Sequence, residues 1–212
     1  SDESVTESMA RELRGFHFSE GPDIECVSFP DGPFSIESQA DIEAVTLPLR
    51  KMVSESQNVD AFVIACYSDP GLHVCREASE KPVFGIQECG ILTAMSRGDR
   101  FGVIALQERS IRRHLRYLRQ MGVMGRLAGE RAAGLSVGES VSGKDTFEKL
   151  LTTAKQLRDS DQADTIILGC AGMASHRAKL ESAIRIPVIN PVQAAVSMAM
   201  HSLLTKQQYE KS

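Results

Sequence analysis

Two cysteines, Cys66 and Cys170, each end a short apolar run, AFVIAC and TIILGC. Runs of that kind read as strands buried on both faces of a parallel sheet. Tyr67, Ser68, Asp69 and Pro70 follow the first cysteine, Ala171 and Gly172 the second, and helical patterns come next. Both sulfurs are therefore expected at the C-terminal edge of a sheet, the edge where open α/β sheets bind ligands. Helix N–H groups and the positive end of the helix dipole favour a thiolate there. A thiol of pKa ~8.5, tunable downward, populates both protonation states near neutrality. Two such groups on opposite sides of a carbon can remove a weakly acidic C–H proton and return one to the other face. The developing enolate oxygen needs N–H donors, which the amides around residues 67–69 and 171–172 can supply.

A lone cysteine in an apolar strand is more often a small packing residue. These two differ because they recur in an internal repeat. DAFVIACYSDPGL (60–72) resembles ADTIILGCAGMAS (163–175), and KPVFGI (81–86) resembles IPVINP (186–191). The offset is 104 at the cysteines and 105 at Pro82 and Pro187. Val5 and Ile111, which open two amphipathic segments, are 106 apart. Related halves facing one another would bring the two thiols to opposite sides of one pocket.

The elements that must position them alternate along the chain. Strands are expected at 23–29, 60–66, 82–86, 100–106, 131–137, 164–170 and 186–190. The 145–160 segment puts Phe147, Leu150, Leu151, Ala154 and Leu157 on one helical face. The segment after Ser110 does so with Ile111, Leu115 and Leu118. Pro48 predicts a kink or two short helices after Ile36, Asp69 an N-cap and Pro70 a first helical residue. Residues 30–33 read as a loop, and 138–143 as a flexible loop without a phosphate-binding pattern. The βαβα order predicts an α/β fold with parallel sheets. The strand at 100–106 has its repeat counterpart mostly before residue 1, so a further strand is expected upstream.

Composition excludes several classes. The 212 residues are 42% hydrophobic and 25% charged, with a formal charge of −4. That is ordinary for a globular protein and argues against nucleic acid or an anionic membrane as partner. Five cysteines, an odd number, with no export signal point to a reducing cytoplasm rather than to disulfides, and none has zinc-site spacing. Cys26, Cys75 and Cys89 read as packing residues, with Cys89 the nearest of them to the pocket. Arg109, Arg112, Arg113, Arg116, Arg119, Arg126 and Arg131 read mainly as a solvated or subunit-contact face. His176 reads as a surface residue rather than a proton relay. The segment 32–38 is a possible loop over the site.

At CYSDPGL (66–72), PVFGI (82–86) and GCAGM (169–173) the chain resembles the aspartate/glutamate/hydantoin racemase superfamily, most closely its hydantoin and allantoin racemase branch. The resemblance implies two similar Rossmann-like lobes related by a pseudo-two-fold, 1–98 plus 192–212 and 99–191, with the active site between them. It implies cofactor-free two-base racemisation by Cys66 and Cys170, with substrate-binding donors near Ser68, Asp69, Ala171 and Gly172. The expected substrate is a small molecule, a 5-substituted hydantoin or allantoin inverted at C5, and the expected assembly is a homo-oligomer. Tyr67-Ser68 and Ala171-Gly172 replace the Asn-Thr and Thr-Glu typical of the amino-acid racemases, which favours a neutral ring. Cys66 separates the chain from arylmalonate decarboxylases. An amino-acid racemase, a maleate-type cis–trans isomerase and a non-catalytic small-molecule binding protein are the alternatives. The Asn-Pro-Asn-Thr loop of the family has no match here.

Overall fold

The computed structural model describes residues 3–19, 21–29, 32–33 and 35–209, with side chains through 205. Ser1 and Asp2 of the amphipathic N-terminal segment, Pro30 and Asp31 of the expected loop, and Phe34 of the possible covering segment lie outside the described residues.

Helix α1 (Glu3–Glu12) opens the described chain, followed by α2 (Gln39–Glu55), β1 (Phe62–Ile64), α3 (Leu72–Ala78), β2 (Val83–Gly85) and α4 (Ile86–Arg97). Then come β3 (Phe101–Ala105), α5 (Glu108–Gln120), β4 (Leu127–Ala132), α6 (Val137–Ser142) and α7 (Thr146–Asp159). The chain closes with β5 (Thr165–Leu168), a 3-10 stretch (Ala171–His176), α8 (Arg177–Ile184), β6 (Val188–Ile189) and α9 (Pro191–Tyr209). The strands form two sheets, β1-β2 and β4-β3-β5-β6, and every ladder is parallel. This is the expected α/β architecture.

The internal repeat is written into strand register. Phe62 pairs with Val83 and Val63 with Phe84, while Ile166 pairs with Val188 and Ile167 with Ile189. The second set is the first displaced by the repeat offset, so β1-β2 and β5-β6 are the same unit built twice.

Alternation along the strands divides the larger sheet between two cores. Val103 and Ile167 join a cluster with Ile86 and Ile91 of α4, Leu118 of α5 and Val192 of α9. Ile104, Ile166 and Leu168 face Leu150, Leu157 and Leu180 of α7 and α8. The β1-β2 unit rests on Val53, Leu72 and Cys75. Sheets covered on both faces explain why their strands read as continuous apolar runs.

Several local expectations are corrected. Residues 23–29 alternate between half-buried and exposed but form no ladder among the described residues, so the period-2 pattern marks an extended segment rather than a strand. The strand expected at 131–137 lies at 127–132, because parallel pairing with β3 begins at Phe101↔Leu127. One helix, α2, runs through Pro48. A Ser38–Asp41 capping box and packing against α3 offset the missing N–H. The loop expected at 138–143 is mostly helix α6, started by a Ser136–Glu139 capping box. Helix α3 begins at Leu72 with Gly71 as N-cap, so Asp69 and Pro70 precede it.

Candidate active site

Cys66 follows β1 and Cys170 follows β5, both at the C-terminal ends of parallel strands and both half-buried. The Ser68 amide reaches the Cys66 sulfur, and the same N–H lies 2.8 Å from the Cys66 carbonyl oxygen. The amides of Gly172 and Met173 reach the Cys170 sulfur. The equivalent strand ends thus each aim backbone N–H groups at a thiol, as the repeat requires.

The two sulfurs are electrostatically coupled. Burial pushes the Cys66 thiol up to about 12, and negative charge on Cys170 and then on Asp69 resists its ionisation further. The Ser68 amide and the Arg113 guanidinium act in the opposite direction. Burial also raises Cys170, but no negative neighbour adds to it, and the donors of Gly172, Ser140 and Met173 oppose the rise. The pair is therefore asymmetric: Cys170 has more donors directed at its sulfur.

Ser140, on α6, is fully buried, with its Oγ 4.0 Å from the Cys170 sulfur and 2.6 Å from the Val137 carbonyl oxygen. A Cβ on Gly172 would stand 2.2 Å from that Oγ, so only glycine lets α6 approach this close. Sequence reading missed Ser140 because it took this stretch for a loop; the Ser136–Glu139 capping box was the available signal. Ala171 and Gly172 are buried under α6, and α1 also packs on this 3-10 stretch. His176 is half-buried rather than on the surface: its ring bonds to the Ser140 backbone and lies 6.4 Å from the Phe147 ring. Burial lowers its pKa.

Asp69 serves a different element from the one expected. Its Oδ1 and Oδ2 accept the amides of Gln87 and Glu88 at 2.9 and 2.8 Å, capping α4 from a distant loop. Its backbone is left-handed, with φ 41°, a conformation aspartate tolerates better than most residues. A Cβ on Gly85 would lie 2.2 Å from the Asp69 carboxyl carbon, so glycine there admits the cap. Burial outweighs the two N–H bonds and raises Asp69 to about 7. Beside it, Tyr67 is buried with its ring edge-on to His114, centroids 5.2 Å apart. His114 Nδ1 and Glu130 Oε1 are 2.5 Å apart in the same buried wall.

A cleft of about 610 Å³ opens next to the Cys66 loop. Gln39 and Ile42 of α2, Ser68, Gln87 of α4 and a face of α5 line it. Arg113 is half-buried there and close enough for its charge to act on Cys66, while Arg109, Arg112, Arg116 and Arg119 are exposed. The arginine face is thus not wholly external. Arg131 pairs with Asp161, and Arg126 bonds to the Gly98 and Met95 carbonyls behind α4. The segment before α2 is tied to α5 through the ion pair of Glu37 with Arg109. Cys75 and Cys89 are buried in the cores and Cys26 packs against one, in keeping with their reading as packing residues. Among the described residues, no group of three or more His, Cys, Asp or Glu is arranged to hold a metal ion. No helix among them is long and apolar enough to cross a membrane.

Known proteins resemble this chain in sequence and fold. The family model for Asp/Glu/hydantoin racemases matches residues 1–199. A hydantoin racemase of Rhizobium meliloti is 39% identical over 175 residues, spanning 80% of this chain and 71% of its own. One from Paenarthrobacter aurescens is 33% identical over 204 residues, 94% of this chain and 86% of its own. The solved allantoin racemase from Klebsiella pneumoniae superposes with a TM-score of 0.90 at 29% identity, over 98% of this chain and 85% of that one. With its parallel strand pairs repeated in register and a cysteine at each equivalent strand end, the chain belongs to the Asp/Glu/hydantoin racemase family of isomerases.

Proposed function

We propose that the protein racemises 5-substituted hydantoins or allantoin at C5, by two-base proton transfer between Cys66 and Cys170. The observation that carries this reading is geometric: Cys66 and Cys170 end equivalent parallel strands, each with backbone amides at its sulfur, and lie close enough that charge on Cys170 resists ionisation of Cys66. Such a pair sheds one proton well before the second. Loss of the first proton leaves one thiolate and one thiol, the complement needed to take a proton from one face of a carbon and give one to the other. The substrate carbonyls delocalise the carbanion, and the amides of the two cysteine loops stabilise the charge on its oxygen. Roles exchange for the opposite enantiomer. Hydantoin racemases among the relatives and the allantoin racemase among the solved structures support this substrate class.

The test is incubation of an enantiopure 5-substituted hydantoin in deuterated water. Optical rotation should decay while deuterium enters C5. Cys66→Ala and Cys170→Ala should each lower the rate by about 10²–10⁴-fold, the range for removal of a proton-transfer group. Rotation that stays constant above background would refute the activity, and racemisation persisting in both variants would refute the two-base assignment.

A further inference from the structure

The cleft beside Cys66 has a charge that the two-cysteine chemistry does not use. The chain carries a formal charge of −4, yet the cleft is lined by Arg113, Arg116 and Arg119 and by no Asp or Glu. The carboxylates nearest to it are engaged elsewhere. Glu88 holds Arg76 and accepts the Tyr117 hydroxyl; Glu130 is paired with His114; Glu37 is paired with Arg109. Asp41 caps the first turn of α2. Asp69 is turned into the α4 amides.

The lining is also short of acceptors. The Nε of Arg113 and the Nε2 of Gln87 are buried without a hydrogen-bond partner. The remaining Arg113 nitrogens make only 3.3 Å contacts, to the Arg109 carbonyl and the Ser110 hydroxyl. Arg116 reaches Gln39 Oε1 at 2.6 Å. Buried donors without partners are costly and rare. A low-dielectric cleft of one sign focuses its field on a ligand of the other. Guanidinium groups pair best with carboxylates.

The cleft adjoins the Cys66 loop: neither cysteine lines it, but Ser68 does and its amide reaches the Cys66 sulfur, and the Arg113 charge acts on Cys66. We infer that this cleft receives a carboxylate at the end of the substrate's C5 side chain, so that acidic hydantoins are preferred over neutral ones of the same shape. The inference rests on the racemase reading above for the position of the ring.

Two isosteric compounds separate charge from shape: enantiopure 5-(2-carboxyethyl)hydantoin and its amide, 5-(2-carbamoylethyl)hydantoin. At low ionic strength kcat/KM for the acid should exceed that for the amide by about tenfold, and the ratio should shrink as salt screens the field. The pair Arg113→Gln with Arg116→Gln should bring the ratio to within about twofold of one, a loss of the charged partner for the carboxylate that the ratio reads whatever Arg113 does to the rate common to both compounds. A wild-type ratio of one or less overturns the inference, as does a ratio that the double variant leaves in place. Racemisation of the amide alongside either result leaves the racemase reading standing. If neither compound is racemised, that reading fails, and calorimetric binding of the two compounds decides the cleft separately. Tighter binding of the acid, lost in the double variant, upholds it; equal affinities overturn it.

Discussion

Cys170 and Cys66 occupy equivalent strand ends but unequal surroundings. Cys170 has two amides and the Ser140 hydroxyl directed at its sulfur, whereas Cys66 has one amide, the Arg113 charge, and two negative neighbours against it. Each donor stabilises a thiolate, so burial is more strongly opposed at Cys170 than at Cys66. Ser140 can serve either state. Its hydroxyl donates to the Val137 carbonyl at 2.6 Å and, 4.0 Å from the Cys170 sulfur, is also within reach of a thiolate there. Ser140→Ala should therefore raise the Cys170 pKa and slow iodoacetamide alkylation at Cys170 by about tenfold at pH 8, the scale of one hydrogen bond to a charged group. Alkylation at Cys66, read by mass spectrometry in the same sample, should change much less. Equal slowing at both cysteines would refute a specific effect at Cys170, and faster alkylation at both would report a general loss of structure, which exposes buried thiols. The two cysteines were legible in the sequence because the repeat marked them. Ser140 was not, because its contact with Cys170 exists only once α6 packs on the stretch 171–176.

At the level of elements, the loop 66–69 is held by a helix that follows a different strand. Asp69 caps α4, and Arg76 of α3 bonds to the Val83 carbonyl and to both oxygens of Glu88. Gly85 is the residue that admits the Asp69 carboxylate. Gly85→Ala should displace it and destabilise the protein by about 2–3 kcal/mol, as overpacking and a lost cap do, measurable as a lowered urea midpoint. Asp69 also makes stability depend on pH. Its folded pKa of about 7 lies above its ordinary 3.8. Between these values the native state keeps a proton that the unfolded chain releases. The stabilisation is complete below pH 3.8 and is lost as pH rises through about 7. Asp69→Asn, neutral throughout, should flatten this fall, seen by comparing urea midpoints at a series of pH values from 5 to 8. A slope unchanged in the variant would assign the dependence to another group. Asp69 is not the N-cap of the helix that follows it, as its place in the sequence predicts; Gly71 is, and the Asp69 carboxyl group serves α4 instead. Capping patterns predict the nearest helix, and here the amides come from a helix 18 residues on.

At the scale of the whole molecule, the described residues form two sheets, and one core cluster reaches both. Ile86 and Ile91 of α4, Val103 of β3, Ile167 of β5 and Val192 of α9 share one buried cluster with Met9 and Leu13 from the N-terminal segment, and Val63 of β1 and Phe84 of β2 pack against it. Neither sheet can expose its share of this cluster without exposing the other's. Unfolding should therefore be a single cooperative transition, with calorimetric and van't Hoff enthalpies equal and the circular dichroism transition coincident with the calorimetric one. Two resolved transitions would show that the sheets unfold independently.

Apolar runs, helical periodicity and the repeat were enough to determine an α/β fold with parallel strands, since these patterns are local consequences of which faces must be buried. They were also enough to identify Cys66 and Cys170 as a pair, because duplication places equivalent residues at equivalent strand ends. Only the tertiary structure decided what surrounds them: Ser140 against Cys170, Asp69 turned into α4, and Arg113 drawn from the arginine face into a cleft beside Cys66. Each of these contacts joins residues at least 18 positions apart on separate elements, and local patterns do not report which side chains a packed core brings together.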